Sequence, residues 1–451
     1  MQSGKEKFIG LEWLRFFLGV YLVMYHTLPF YESYTKLGGL VEVNELGFFA
    51  TSCFFALSGF LLAHVYLDGN RLRERPSSIM AKRFANLYPI HLFGLASCIA
   101  LALLTGLVDS NTDLRLVYRA DDLLKRTAPE LLEYRLSDFQ LVLNGLLQIT
   151  LLHAWNPVFL AYNGPLWSIS ALFFFYLVFP WFAPRLARAR HKVRLLLAVW
   201  LACLVPPLLV ILNGDYGSTW IGLLHHFPLF RLPVFLTGIL AYLLFRDREL
   251  AGAGLHGPAK LAAVIVLGIG VSIAAELNWH GGNYWYVLLH NGLMLPMVLS
   301  VVGLCAMIPG TGSENLQRWG RRLGGASLSI FALHTPIFIV FRRLEMLLNI
   351  DYGLCLTDAS ACVAQAKAQP LFLGYYPLLL IFTVVFCVLF QEHFVRRVRQ
   401  WLLNGPLCRL VEPVSRPDRD DDAFEPQLVR ADCVDRRPSS ATPQGNGVSV
   451  S

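Results

Sequence analysis

Long apolar runs separated by short polar loops recur along this chain, and their length predicts helices that cross a membrane. A crossing helix needs roughly 17–25 mainly apolar residues. Ten such runs are present: Leu11–Tyr31, Leu46–Leu67, Leu87–Val108, Leu166–Ala183, Val193–Leu212, Leu229–Phe245, Lys260–Ala275, Trp285–Met307, Ala326–Phe341 and Leu371–Phe390. An eleventh apolar segment, Phe139–Trp155, is about as long as the weaker of these, and the charges in the loops decide how it is read. The loops Asp68–Asn86 (Arg71, Arg73, Arg75, Lys82, Arg83) and Pro184–Lys192 with Arg194 (Arg185, Arg188, Arg190, Lys192) are short and basic. Both are therefore expected in the cytoplasm by the positive-inside rule. An even number of crossings must separate them, and Leu87–Val108 with Leu166–Ala183 already supply two. Phe139–Trp155 is then expected as an outer-face or re-entrant helix.

With that assignment, Arg246, Arg248, Arg318, Arg321, Arg322, Arg396, Arg397 and Arg399 all fall inside, and the outer loops Asn213–Pro228 and Leu277–Tyr284 carry no Lys or Arg. Arg342 and Arg343, at the outer end of the ninth run, fit less well. Both termini are expected in the cytoplasm. The first run keeps Arg15 inside it and has no small-residue cleavage pattern, so it reads as an uncleaved span and not a removable signal.

Composition agrees with this reading: of 451 residues 55% are hydrophobic and 15% charged, too apolar for an ordinary soluble protein. The fold class expected is an all-α polytopic membrane protein with about ten transmembrane helices in residues 1–404. Residues 405–451 are polar and rich in Pro, Ser, Gly and Asn, as expected of a disordered cytoplasmic tail. The net charge of +7 reflects the basic inner loops, and no nucleic-acid-binding motif accompanies it. Cys53, Cys98, Cys203, Cys305 and Cys387 fall in apolar runs and read as buried thiols, whereas Cys355 and Cys362 share one outer loop and are candidates for a disulfide. No spacing resembles a zinc site, and no metal or bound cofactor is implied. No internal repeat or pair of matching broken helices, features that would favour a transporter, is evident.

Charged and titratable residues inside the apolar runs are the first candidates for chemistry, because a charge in lipid is costly and faces a bundle interior, a partner or a cavity. Arg15 and His26 lie in EWLRFFLGVYLVMYHT eleven residues apart. That spacing is three helical turns plus ~20°, which puts both on one face about 16 Å apart along the axis. Glu12 lies within a turn of Arg15 on the same stripe.

Five further stretches stand out, each with a plain structural alternative. FFALSGFLL gives Ser58, Gly59 and Ala63 a small-residue face suited to close helix packing. KRFANLYP carries Lys82 and Arg83 at the inner mouth of the third run, where they serve as anchors or hold a phosphate. LLHAWNP and NGPLWSISALFFFY gather His153, Trp155, Trp167 and Ser168 on the outer side. The two indoles there are interfacial anchors or a sugar platform. FRLPVFLTG places Arg231 at the outer edge of the sixth run, where snorkelling is the simple explanation. LGGASLSIFALHTP carries His334 into the ninth run, as a site residue or a helix-to-helix hydrogen bond.

The order and spacing of these stretches resemble the acyltransferase 3 family of bacterial inner-membrane proteins, many of which O-acetylate cell-surface glycans. The resemblance runs from Phe8 to Arg397. It includes the Arg-x10-His signature at Arg15 and His26, then FFALSGFLL, Arg83, His153 and Trp155, NGPLWSIS, FRLPVFLTG, LGGASLSIFALHTP and QEHFVRR. Three positions depart from it. Asn86 stands where a second arginine is common, and Leu172 and Val234 stand where glutamates are usual.

The resemblance implies acyl transfer in the bacterial inner membrane, with acetyl-CoA as the acyl donor substrate, a glycan or lipid-linked glycan as acceptor, and no nucleic acid. His26, Arg15 and Glu12 would form the catalytic group, Arg83 and Lys82 would hold the donor, and His153, Trp155, Trp167, Ser168, Arg231 and His334 would meet the acceptor. The alternatives are a transporter or flippase of an anionic or glycan-linked lipid, and a non-catalytic relative.

Overall fold

The computed structural model describes residues 8–106, 114–119, 123–250, 257–308, 313–348, 350 and 352–411. In chain order the helices are α1 (Ile9–Thr27), α2 (Gly39–Asn44), α3 (Gly47–Tyr66), α4 (Pro76–Gly106), α5 (Leu124–Thr127), α6 (Asp138–Ile149), α7 (Trp167–Arg188), α8 (Lys192–Asn213), α9 (Ser218–His226) and α10 (Pro228–Leu250). They continue with α11 (Gly257–His280), α12 (Asn283–Leu288), α13 (Leu295–Ala306), α14 (Glu314–Gly325), α15 (Ser327–Leu347), α16 (Tyr352–Thr357), α17 (Ala359–Ala368), α18 (Tyr376–Phe390) and α19 (Arg396–Asn404). The few strands are confined to a two-residue hairpin after α3 and a small three-stranded sheet, Leu116–Arg119, Glu133–Arg135 and Phe159–Leu160, beside α6.

Among the described residues, nine helical segments are long and apolar enough to cross a membrane. The first helix, α1, is not among them although it has 19 residues. Its Glu12, Arg15 and His26 lower its hydropathy, and it instead packs inside the bundle against α3, α13, α14 and α15. With α1 the bundle has the ten long helices expected, and the protein is an all-α polytopic membrane protein. Phe139–Trp155 is not among the segments long enough to cross. Its helix, α6, has 12 residues, about 18 Å of rise against a hydrocarbon core of about 30 Å. It starts at a Ser137–Gln140 capping box, leaves Phe139 and Val142 exposed, and ends in a left-handed Leu151.

The centre of the bundle is aromatic. Phe55, Phe175, Phe179 and Phe235 are fully buried, with Phe175 and Phe235 stacked at 5.2 Å between ring centres. Two glycines let α3 and α10 approach this closely: a methyl group at Gly59 would collide with the Phe235 carbonyl, and one at Gly238 with the Ala56 carbonyl. The packing role expected of FFALSGFLL is thus visible, since lipid-embedded helices associate through such small-residue contacts.

Several boundaries differ from the sequence reading. α1 stops at Thr27, and Pro29, which has no N–H to continue a helix, sits in a short 3-10 turn. α4 begins at Pro76, so KRFANLYP lies inside a 31-residue helix and not at its mouth. The end of the third run, Val108, lies outside the described residues. Trp285–Met307 was read as one continuous span, but it is interrupted. α12 passes through a π turn at Leu289–Leu293 in which Asn291 and Gly292 leave helical geometry, Gly292 with φ +114°, before α13 resumes. Asn-Gly followed by Pro296 is the local cause, a dipeptide that favours turns and a residue that restarts a helix well.

The two misfit arginines at the end of the ninth run have local partners. Arg342 stacks over Phe30 at 5.4 Å, and Arg343 donates to the Thr105 hydroxyl at the end of α4. Cys355 and Cys362 form a disulfide, and the five cysteines expected as free thiols are free. The tail expected after Gly405 lies, from residue 412 on, outside the described residues. Residues up to Val411 pack against Ala81 and Ala85 of α4.

Candidate active site

The ends of α1 carry two groups of polar side chains. At its N-terminal end Arg15 pairs with Glu12 of the preceding turn, Nη1 to Oε2 3.4 Å, and the Glu12 carboxylate is 7% exposed. Gly324 of α14 makes room for it, since a methyl group there would strike the Glu12 carboxylate. Arg83 of α4 donates to the Tyr66 hydroxyl at 2.9 Å and lies over the same ring, 4.9 Å from its centre. Tyr176 of α7 faces Ser58 of α3 and both guanidiniums, Arg15 and Arg83. Four helices therefore converge on a basic, hydroxyl-lined group made of Arg15, Ser58, Tyr66, Arg83 and Tyr176. Ser58, Tyr66 and Tyr176 were not legible as site residues, because a hydroxyl in an apolar helix carries no mark of its neighbours.

Lys82 does not join this group. Its ammonium is buried and bonded to Glu74 at 2.8 Å, and the second Glu74 oxygen accepts from Ser78. Adjacent helical residues point ~100° apart, so Arg83 faces Tyr66 while Lys82 turns to Glu74. Arg83 and Lys82, read together as holding the donor, thus lie in two different environments.

At the other end of α1 the His26 ring stacks on His334 of α15, 4.9 Å between centres and 15° between planes. Nδ1 of His334 sits 2.6 Å from the Phe331 carbonyl and so carries the proton, which leaves Nε2 with its lone pair. His334 is 1% exposed. Thr27, next to His26, bonds the Tyr376 hydroxyl at 3.0 Å and ties this end to α18.

The HAW segment forms a third group. His153 is 4% exposed and neither ring nitrogen reaches a hydrogen-bonding partner, although the carbonyls of Leu147 and Leu166 are near. It stacks on His91 of α4 at 5.2 Å, with His226 of α9 nearby. Burial, and after it the His91 imidazole, push His153 down to about 3, so it is neutral at ordinary pH. Gln148, whose backbone carbonyl meets His91 Nε2 at 2.9 Å, is buried, as is Asn163. Nδ1 of His91, Oε1 of Gln148, Oδ1 of Asn163 and Nδ1 of His226 likewise lack partners. Asn163 donates to the Ala332 carbonyl of α15 at 3.1 Å, two residues from His334, which connects this group to the stacked pair. His91, Gln148, Asn163 and His226 were missed because they lie far apart in sequence and meet only through the fold.

The remaining candidates mainly hold this frame. Trp155 is wedged between Phe174 and Phe227, both at 5.1 Å, and Trp167 is 7% exposed against Phe55, His225 and His226. The anchor reading of the two indoles therefore gives way to packing. Ser168 donates to the Pro165 carbonyl, and Ser170 binds Leu151 and Ala154 of the loop that carries His153. Arg231 does not snorkel to the surface. It is 5% exposed and donates to the carbonyls of His225 and His290 at 2.6 Å each, the latter at the break in the helix. The Gly292 carbonyl takes its bond from Trp200, 2.9 Å. In the closing motif Glu392 holds Arg322 through both oxygens, 2.6 and 2.9 Å.

The sequence profile of the family described as an acyltransferase domain matches residues 8–392, which takes in all three groups. The chain belongs to the acyltransferase 3 family. Acyltransferase MdmB of Streptomyces mycarofaciens is 26% identical over 275 residues, 56% of this chain and 61% of the relative. Protein 2 in the picA locus of Rhizobium radiobacter is 35% identical over 98 residues, 21% of this chain and 46% of the relative. The matches thus span about half to three-fifths of these relatives' lengths. No solved structure matches. Of the three positions at which the sequence departs from the resemblance, Leu172 and Val234 have side chains buried in the apolar interior.

Proposed function

We propose that this protein is a membrane-bound O-acyltransferase of the bacterial inner membrane. It would move an acyl group, in the simplest case acetyl, from acyl-CoA to a hydroxyl of a cell-surface or lipid-linked glycan. The observation that carries the reading is the division of α1. Its Arg15 end meets Arg83, Tyr66 and Tyr176, and its His26 end, about 16 Å along the axis, meets His334.

The basic loops support a cytoplasmic setting for the Arg15 end and for both termini. There Arg83 and Arg15 suit the phosphates of acetyl-CoA, a role to which the planar guanidinium fork is fitted. The pantetheine arm would bring the thioester toward His26. The acceptor hydroxyl adds to the thioester carbonyl as neutral His26 takes its proton. The C–S bond then breaks, and the proton is returned to the CoA thiolate. General-base help of this kind is typically worth ~10²–10⁴ in rate.

The buried neutral group of His153, Gln148, Asn163 and His226 offers lone pairs and donors without a formal charge, which suits a hydroxyl-bearing acceptor better than an anionic one. Glu12 orients Arg15, and no metal enters this scheme.

Purified protein in lipid nanodiscs, given radiolabelled acetyl-CoA and cell-envelope glycan, should release free CoA and label the glycan, and the His26→Ala variant should do neither. A wild-type protein that binds neither acetyl-CoA nor its desacetyl analogue would sink this reading and favour the flippase.

A further inference from the structure

Away from this site, α2 and the end of α11 bring three metal-ligating side chains together. Glu276 and His280 are four residues apart on α11 and so share a face. Glu42 of α2 meets them there, and one ligand atom from each of the three lies within 4.8 Å of the other two. α2 is held in place by Asn278, whose Nδ2 donates to the Glu45 carbonyl at 3.4 Å, and by an apolar cluster that joins Leu46 and Phe48 to Ala274 and Ala275. Two carboxylates at this distance repel by about 1 kcal/mol even in water. Neither α2 nor the stretch from Ala274 to His280 carries a Lys or Arg that would offset the repulsion.

An acidic pair alone attracts any counter-ion, but the third donor changes the chemistry. Imidazole favours zinc, copper and nickel over the hard cations calcium and magnesium, and carboxylates with one imidazole and open positions for water suit a borderline metal. Glu276 and His280 are exposed and Glu42 is half-buried, so an ion would enter directly from solvent.

We propose that Glu42, Glu276 and His280 bind a divalent transition metal of the Zn²⁺ class. The proposal does not depend on the acyl-transfer reading. The bound ion would pin to α11 the segment that leaves α1. Val43, next to Glu42, accepts a hydrogen bond from Tyr21 of α1, and Gly47 packs on the Tyr25 ring beside His26. The clip would therefore hold α2 and the start of α3 against Tyr21 and Tyr25 of α1.

The test uses full-length, untagged protein in detergent, stripped with EDTA and then dialysed against ZnCl₂ or CaCl₂. The metal retained per chain is measured by mass spectrometry. About one Zn²⁺ should stay bound to the wild type. Glu276→Gln and His280→Ala should each weaken binding about tenfold or more while melting at the wild-type temperature in EDTA. Glu42→Gln serves as a further variant if either of these fails to accumulate. Equal Zn²⁺ retention by wild type and by the Glu276→Gln, His280→Ala double variant would overturn the proposal, as would Ca²⁺ bound as tightly as Zn²⁺.

Discussion

His26 and His334, 308 positions apart in the chain, lie ring on ring at 4.9 Å with their planes 15° from parallel. His334 is locked by the Phe331 carbonyl, and its flat face fixes how the His26 imidazole can turn. A base that must accept a proton along one direction gains from such a wall. His334→Ala should therefore lower the turnover number about 10–100-fold with the affinity for acetyl-CoA unchanged. His334→Phe, which keeps the flat face, should recover part of it. Steady-state kinetics on the three proteins checks this, and an acetyl-CoA affinity that falls along with turnover would speak against a role confined to His26.

Arg83 and Lys82 are neighbours in sequence but not in surroundings. Arg83→Ala should weaken acetyl-CoA binding by about 1.5–3 kcal/mol, the usual worth of a charge-assisted hydrogen bond, as read by titration calorimetry. Lys82→Ala should leave that affinity within about twofold and instead destabilise the protein, because the half-buried Glu74 carboxylate loses its ion-pair partner, at less than the about 3–5 kcal/mol of a fully buried pair.

The close crossing of α3 and α10 leaves no room for a methyl group. Gly59→Ala and Gly238→Ala should each destabilise the bundle by about 1–3 kcal/mol, visible as a lower thermal midpoint or reduced accumulation in the membrane. Ala63→Gly, on the same small-residue stripe, should have a smaller effect.

His153 introduces a dependence on pH. Its folded-state value is depressed to about 3, below the ~6.5 of an unfolded histidine. Its contribution to stability is therefore complete above pH ~6.5. It is lost progressively as the pH falls from there toward 3, where the unfolded chain binds a proton that the folded chain refuses. His153→Gln should flatten the fall in thermal midpoint between pH 7 and 4.5, and an unchanged slope would assign the acid sensitivity elsewhere.

Much of this architecture was readable from the chain because a lipid environment leaves few alternatives: length and hydropathy pick out helices, and the parity of basic loops kept Phe139–Trp155 from being counted as a crossing. The stripe from Arg15 to His26 was readable for a similar reason, since helical spacing alone places both on one face. Contacts made across the bundle were not readable. Nothing local distinguishes Tyr176 from any other tyrosine in an apolar helix, and nothing near FRLP reveals that Arg231 bonds a carbonyl 59 positions later. The break at Asn291 had a visible signal in Asn-Gly and Pro296, but the apolar residues on either side masked it.

The donors that cover that break both precede it in the chain. Trp200 and Arg231 are made well before Leu289–Leu293, and they bond the Gly292 and His290 carbonyls. Synthesis proceeds from the N-terminus, so the carbonyls at the break are made after the side chains that bond them. The linear order of residues thus doubles as an assembly schedule. A permuted chain that delivered α12 and α13 before α8 and α10 would have to form the break before either side-chain donor existed.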